Sequence, residues 1–440
     1  MMLSYGVATL ATFGLLCSAQ RPISTSELIR DPGVYGPPLE LVHLYENEFP
    51  TGIAVSASGR LFSNYPGGLD AADVYAPGNG RYTIAELVSN TTESPYPSAA
   101  INSPPGGAIN YTTYPPSGAG YSDYFIGSQS IVIDALDRAW VLDTGRVQTP
   151  NGTLVYATYG GPKLVGITLT NNTIVFPTTV AFPDSYLNDV RFDLRKNVTA
   201  SGKGIAYITD SSVEGRNGII IVDLGTGESW RHLDGHPSVR PEQQYLSFQW
   251  GVPLYANNAG KPFGYNSFGA DGISLSADGE TLFWKAVGSR YLFSIPTVSQ
   301  RSLWRGVRSA LADLMCQARL RDNSATSEVM AQGAITNHGQ TGQSDGFEVD
   351  TNGYIYHGNM EQNAIGFFNP ANGTDQIYVR DPLINWVDTF STSGHYLYFT
   401  VNQLDFGPGF YSNAGADRRR RPFALFRVPL PGNATKVLLC

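Results

Sequence analysis

Four aspartates in this chain of 440 residues stand at the same point of a recurring pattern. Asp189, Asp271, Asp345 and Asp388 each open a run of alternating apolar residues that ends in a turn. Two are followed by glycine, Asp271-Gly272 and Asp345-Gly346, and one is preceded by an amide, Asn188-Asp189. Carboxylates brought together repel, so some hold a proton at neutral pH and can act as general acids and bases. Asp271 and Asp345 are the candidate acid–base pair, with His338, in the segment ahead of Asp345, as a further proton carrier. The same oxygens at Asp271 and Asp345 would suit a hard cation such as Ca2+. Against both readings stands a structural one, because an aspartate at a strand start also caps neighbouring backbone N–H groups.

Aromatic residues sit close to these positions. Trp250, Phe347 and Trp386, with Asn188, Asp189 and Asp388, form the expected binding surface, where a flat unsaturated ligand would stack. Phe49, Tyr65, Phe268 and Phe390 lie at equivalent points, and ordinary packing competes for each of them. Two motifs are set aside. Gly342–Gly346 spells G-x-S-x-G, but a strand rather than a helix follows Ser344, so the nucleophile elbow is absent. Asp350–Gly353 has the start of a calcium loop without its downstream glutamate and reads as a hairpin turn. No phosphate-binding glycine loop is present, so no nucleotide cofactor is expected.

The elements that must position these side chains are β-hairpins. The pattern runs through 51–62, 130–142, 271–284 and 345–356, with looser copies at 189–209 and 388–399. Alternating apolar residues make the strands, and Asp-Gly or Asn-Gly supplies the backbone that a tight turn needs. Six units at spacings of roughly 40 to 80 residues predict an all-β, six-bladed β-propeller with long inserted loops. In such a ring the first strand of each blade lines the central channel, which places the aspartates around one opening. One segment departs from the pattern: Leu303 to Gln332 has helical spacing and predicts a helical insert carrying Cys316.

Composition agrees with one repetitive β domain over residues 20–440. The chain has 48 glycines, 28 prolines and 12% aromatic residues, with only 15% charged. A net charge of −8 disfavours nucleic acid or an anionic membrane as partner, and a small molecule is expected instead. The basic run Arg418–Arg421 reads as a solvated loop. Residues 1–19 read as a signal peptide, too short in its apolar stretch for a span of about 20 residues, which predicts secretion. Sequons at Asn90, Asn110, Asn151, Asn171, Asn197, Asn372 and Asn433 predict a glycoprotein. Loss of Cys17 with the leader would leave Cys316 and Cys440, either as one disulfide or as two free thiols.

An ordered set of segments resembles the Major royal jelly protein/Yellow family. It includes 49–55 with Gly59–Phe62, Trp140–Gly145, Ala206–Ser211, Ser229–Arg231, Gly272–Ser276, Gly288–Arg290, Asn363–Ile365, Trp386–Phe390 and Asn402–Leu404. The resemblance implies a secreted six-bladed propeller whose channel binds small molecules, amines or sterol-like ligands among them. The Tyr-, Pro- and Gly-rich loops are more like those of fungal members, a branch that includes proteins implicated in hetero-Diels–Alder coupling of tropolone quinone methides with a terpene. The positions of Asn188, Asp271 and Asp345 also resemble the metal sites of gluconolactonase-like propellers. Three functions follow from these readings: a cofactor-independent enzyme, a non-catalytic carrier, and a metal-dependent lactonase-like hydrolase.

Overall fold

Short β-branched and aromatic runs separated by turn residues pair with their sequence neighbours, so the chain folds as successive antiparallel meanders. The computed structural model describes residues 31–69, 82–167, 172–256, 263–297, 320–321, 323, 325–410 and 415–440. Val34–Cys440 is one unit containing six four-stranded sheets. Their inner strands are Gly52–Val55, Ser128–Ile133, Leu187–Asp193, Ala270–Leu275, Phe347–Val349 and Val387–Ser393. Each inner strand packs on the next and the sixth packs on the first, closing the ring. This is the six-bladed propeller the repeat predicts, and every repeat supplies the first two strands of a blade.

The ring is fastened by a pairing without a local signal in the sequence. Glu40–Tyr45, ahead of the first repeat, pairs antiparallel with Phe423–Pro429 and completes the sixth blade. Apolar side chains between blades form the core. Ile219, Ile221, Leu282 and Trp284 are fully buried where the third blade meets the fourth.

Antiparallel meanders sort the connections onto two ends of the ring. One end carries tight turns. In Ser56–Arg60, Asp134–Arg138 and Asp350–Tyr354 the first residue's N–H donates to the last residue's carbonyl, at 2.9, 3.0 and 3.3 Å. Gly59, Asp137 and Gly353 supply the positive φ that these turns require. The opposite end, where the four aspartates start their strands, carries the long connections 96–127, 144–162, 233–269 and 402–422. In the last of these, Arg419 is held by Asp417 and lies 4.5 Å over the Phe49 ring, its side chain only 3% exposed, so the basic run is not uniformly solvated.

The turn end is crossed by the C-terminal segment. Lys436 Nζ donates to the Ile133 carbonyl at 2.8 Å, Leu194 N–H donates to the Leu439 carbonyl at 2.8 Å, and Lys436 bridges Asp350. Those three partners close the inner strands of the second, third and fifth blades, so the tail covers the floor of the channel. Among the described residues of the expected helical insert is the helix Ala325–Gln332, docked on the third blade through Glu328, which accepts from the Leu233 N–H. Residues 303–319 of that insert with Cys316, the leader 1–19 and Asn171 lie outside the described residues. Cys440 is exposed and free in the structure. Among the described residues no helix is long and apolar enough to cross a membrane.

Candidate functional site

β-Bulges at the channel mouth aim the functional side chains. The pairing register slips at Ser128/Ser130, Leu187/Val190, Ala270/Ile273 and Val387/Phe390, at the start of four inner strands. An extra residue at each slip turns one polar side chain inward. Gln129, Asn188–Asp189, Asp271 and Asp388–Thr389 occupy these bulges, and Asp345 takes the corresponding place just ahead of the fifth inner strand.

The glycines after two aspartates let neighbouring blades touch. A Cβ at Gly272 would sit 2.1 Å from the Asp345 carbonyl oxygen, and one at Gly346 would sit 2.3 Å from that of Asp388. Gly346 N–H donates to the Asp388 carbonyl at 2.7 Å, and Thr209 Oγ1 donates to the Asp271 carbonyl at 2.7 Å. Each aspartate backbone is thus tied to the preceding blade, and the carboxyls converge. These two Asp-Gly pairs serve close approach, whereas the hairpin turns use Gly279 and Gly353, both at positive φ.

A hydrogen-bonded chain runs across five blades. Tyr186 Oη donates to Gln129 Oε1 at 2.9 Å, and Gln129 Nε2 donates to Asn188 Oδ1 at 3.4 Å. Asn188 Nδ2 donates to Asp271 Oδ2 at 2.5 Å and to Ser211 Oγ at 2.8 Å. Asp271 and Asp345 hydrogen-bond to each other through their carboxyls. Trp386 Nε1 donates to Asp345 Oδ2 at 2.7 Å, completing the chain. Asp388 stands beside it, with Asn402 Nδ2 donating to its Oδ2 at 2.6 Å.

Burial makes these carboxyls proton-hungry. Asp271 is pushed well above the usual aspartate range by desolvation, then by the Asp345 charge. Asp388 is raised in the same way, and Asp345 is pushed up to about 7 by desolvation against the lowering hydrogen bonds of Asp271 and Trp386. Both carboxyls therefore favour the protonated form more than an ordinary aspartate does. A buried amine supports the segment leading to Asp345. Lys285 Nζ donates to Thr341 Oγ1 at 2.5 Å and to the Gly342 carbonyl at 2.7 Å, and burial pushes it down to about 7.

Asp189 is different. Arg191 Nη1 donates to its Oδ1 at 2.7 Å, and Ser130 Oγ donates to the same oxygen at 3.1 Å. Arg191 Nη2 reaches the Phe347 carbonyl of the fifth blade, so this guanidinium bridges two blades of the ring. It forms a polar layer with Glu348, whose carboxyl is raised by burial.

Three expected site residues are placed elsewhere. His338 is in the outermost strand of the fourth blade, Thr336–Gln340, where Ser294 Oγ lies 2.7 Å from its Nε2 and Phe368 packs at 4.9 Å. It is thus part of the blade rather than of the carboxyl chain. Phe347 is fully buried between blades with Phe283, Leu292 and Phe368. Trp250 stands 52% exposed on the hairpin Ser247–Leu254, 5.9 Å from Phe406. Trp386 does join the site, but it serves Asp345 rather than Asp388. Ser344 is fully buried and lies ahead of a strand, as the sequence indicates.

A Ca2+ ion needs about six to eight oxygens. Asp271 and Asp345 offer two carboxyls facing each other, and Asn188 directs its nitrogen at them. Among the described residues no group of three His, Cys, Asp or Glu side chains is spaced to hold a metal.

The sequence profile described as Major royal jelly protein matches residues 126–381, more than half of the chain. The chain belongs to the Major royal jelly protein family. The family match takes in Gln129, Asn188, Asp271 and Asp345 and ends before Trp386 and Asp388. No curated relative matches the sequence. Among solved structures, a luciferin-regenerating enzyme shares 10% identity over 92% of this chain and 98% of that one, with a TM-score of 0.48. Regucalcin of Agrobacterium tumefaciens, described as calcium-binding, shares 12% over 92% and 95%, with a TM-score of 0.46. A gluconolactonase of Xanthomonas campestris shares 12% over 92% and 99%, with a TM-score of 0.40. At these identities no activity passes from them to this family member.

Gln129, Tyr186, Arg191 and Asn402 belong to the site and were not expected from the sequence. Two of them had a readable signal. Gln129-Ser130 occupies the repeat position of Asn188-Asp189, and Arg191 follows Asp189 by two, the period of one strand face.

Proposed function

We propose that the channel mouth is the active site of a cofactor-independent enzyme that dehydrates a small hydroxylated aromatic substrate. The observation that carries this reading is the buried carboxyl pair Asp271–Asp345, both held above the usual aspartate range by burial. Asp271 donates its proton to the departing hydroxyl, and Asp345 accepts the proton of the ring hydroxyl. The C–O bond breaks, water leaves, and a quinone methide forms. The proton gained by Asp345 passes to Asp271 through their shared hydrogen bond, restoring the pair. Trp386 and Asn188 hold the two carboxyls in register. Following the resemblance to the fungal branch, the quinone methide of a tropolone-derived substrate then undergoes hetero-Diels–Alder closure with a terpene alkene. That step needs no proton transfer and draws on orientation alone.

The test is turnover with an ortho-hydroxybenzyl alcohol and an electron-rich alkene. Adduct should form about 10²- to 10⁴-fold faster with the wild-type protein than with Asp345→Asn, the usual worth of a positioned acid or base. Saturation at one ligand per chain without product would instead identify a carrier of small molecules. Equal rates in both proteins would remove the pair from the chemistry.

The same reading places the chain in the secretory pathway. Asn90, Asn151, Asn197, Asn372 and Asn433 are exposed and Asn110 is half-buried, as acceptors of glycans should be. Intact mass of the secreted protein before and after deglycosylation and thiol alkylation reads this directly. The expected result is a chain lacking residues 1–19, glycan mass at the sequons, and no alkylated thiol if Cys316 pairs with Cys440. An unmodified full-length chain would overturn it.

A further inference from the structure

Exposed aromatic residues are sorted onto one end of the ring. Among the described residues every exposed Phe, Tyr or Trp except Tyr35 lies on a connection at the channel mouth, 96–127, 144–162 or 233–269. The last of these presents a continuous apolar sector. Its hairpin pairs Ser247–Gln249 with Val252–Leu254 and leaves Phe248, Trp250 and Val252 exposed. Trp250 stands at the tip with a φ of 51°, a left-handed backbone rare for a bulky side chain, and Gly251 follows at 72°. Phe263 and Tyr265, both exposed, flank Gly264, whose bridge to Ala256 joins them to the same sector. An apolar sector left in water marks an interface.

Local charge decides what such a surface fits. Ala256 also bridges Phe410, and Trp250 meets Phe406 edge-on at 5.9 Å, so the connection 402–422 lies against this sector. Arg418 N–H donates to the Phe406 carbonyl at 2.9 Å, and Arg420 N–H donates to Gln403 Oε1 at 2.9 Å. Both arginines are exposed beside the rings. Of the two acids on this connection, Asp405 is buried and Asp417 is held by Arg419. Residues 247–265 contain no Asp or Glu, so the sector is basic and apolar although the whole chain carries −8. At a bilayer surface, aromatic rings settle at the headgroup level and arginines pair with anionic lipid. None of the seven sequons falls on either connection, so glycans would leave this sector bare. We propose that the channel mouth docks on an anionic lipid bilayer through Phe248, Trp250 and Val252, with Arg418 and Arg420 on the headgroups. The channel then opens beside the lipid, and an apolar ligand enters it without crossing water.

The experiment floats the secreted protein on vesicles of phosphatidylcholine alone and of phosphatidylcholine with phosphatidylserine. Binding should favour the anionic vesicles and weaken as salt is raised. Trp250→Ala should weaken it about ten-fold, the worth of a large ring withdrawn from water. Arg418→Ala combined with Arg420→Ala should weaken it about five-fold per arginine and abolish the preference for anionic lipid. Leu136→Ala, exposed on the opposite end of the ring, should change nothing. Absence of flotation, or wild-type affinity in the Trp250 and arginine variants, would overturn the proposal. So would a dimer in sedimentation equilibrium that Trp250→Ala dissolves, which would assign the surface to a second copy of the chain.

Discussion

Asp345→Asn should lose turnover and gain stability above neutral pH. In the folded protein Asp345 keeps its proton up to about pH 7, whereas an ordinary aspartate releases it near 3.8. Between those values the folded state binds more protons than the unfolded chain, so stability falls as pH rises through the interval. Above pH 7 the full cost is present, on the order of 4 kcal/mol. Asparagine keeps an acceptor for Trp386 Nε1 and has no proton to lose. Wild type and variant should therefore melt alike below pH 4 and diverge by pH 8, with the variant the more stable. Asp271 and Asp388 also lose the raising effect of the Asp345 charge in the variant, which adds to the divergence in the same direction, and groups remote from Asp345 cancel in the comparison. Identical pH dependence in the two would show that Asp345 ionises like an exposed carboxylate. Loss of activity combined with gain of stability is what a strained, functional carboxyl predicts.

Arg191→Met is expected to be the most damaging single change in the channel. Its guanidinium bonds Asp189 Oδ1 at 2.7 Å, the Val190 carbonyl at 2.8 Å and the Phe347 carbonyl of another blade. Asp189 is 4% exposed, and its Oδ2 already has no partner. Removing the cation leaves a buried carboxylate without a countercharge, which costs about 3 to 5 kcal/mol. Adding Asp189→Asn should recover a large part of that loss, because it removes the stranded charge rather than replacing the contact. Chemical denaturation of the two single variants and the double variant measures the coupling. A cost below about 1 kcal/mol for Arg191→Met would show that the ion pair is solvated, and that the channel is wet at this depth.

The blades were readable because each is built from local pairing. Turn residues recur at fixed offsets between alternating strands, so the hairpins at 51–62 and 345–356 announce themselves without long-range information. What closes the ring and covers its floor is non-local. Nothing in Glu40–Tyr45 says that it will pair with Phe423–Pro429, and nothing in Lys436 points to Ile133. The aspartates were found by their shared repeat position, and their convergence follows from bulges and from the close approach at Gly272 and Gly346. His338 misled because it stands close to Asp345 in sequence, while pairing with the Tyr291–Pro296 strand places it at the blade's outer edge. Trp386 misled in a milder way. It stands two residues from Asp388, yet its indole reaches across to the neighbouring blade at Asp345. Side chains that bridge blades are set by ring geometry, which a linear pattern does not contain.

The central claim is that the channel holds a protonated carboxyl pair at neutral pH, and infrared spectroscopy of protein labelled with ¹³C at its aspartate carboxyls tests it most directly. At pH 7 the wild type should show a carboxylic acid C=O band that weakens in Asp271→Asn. If the labelled aspartates show only carboxylate bands at pH 7, the pair is fully ionised and the acid–base account of this site is wrong.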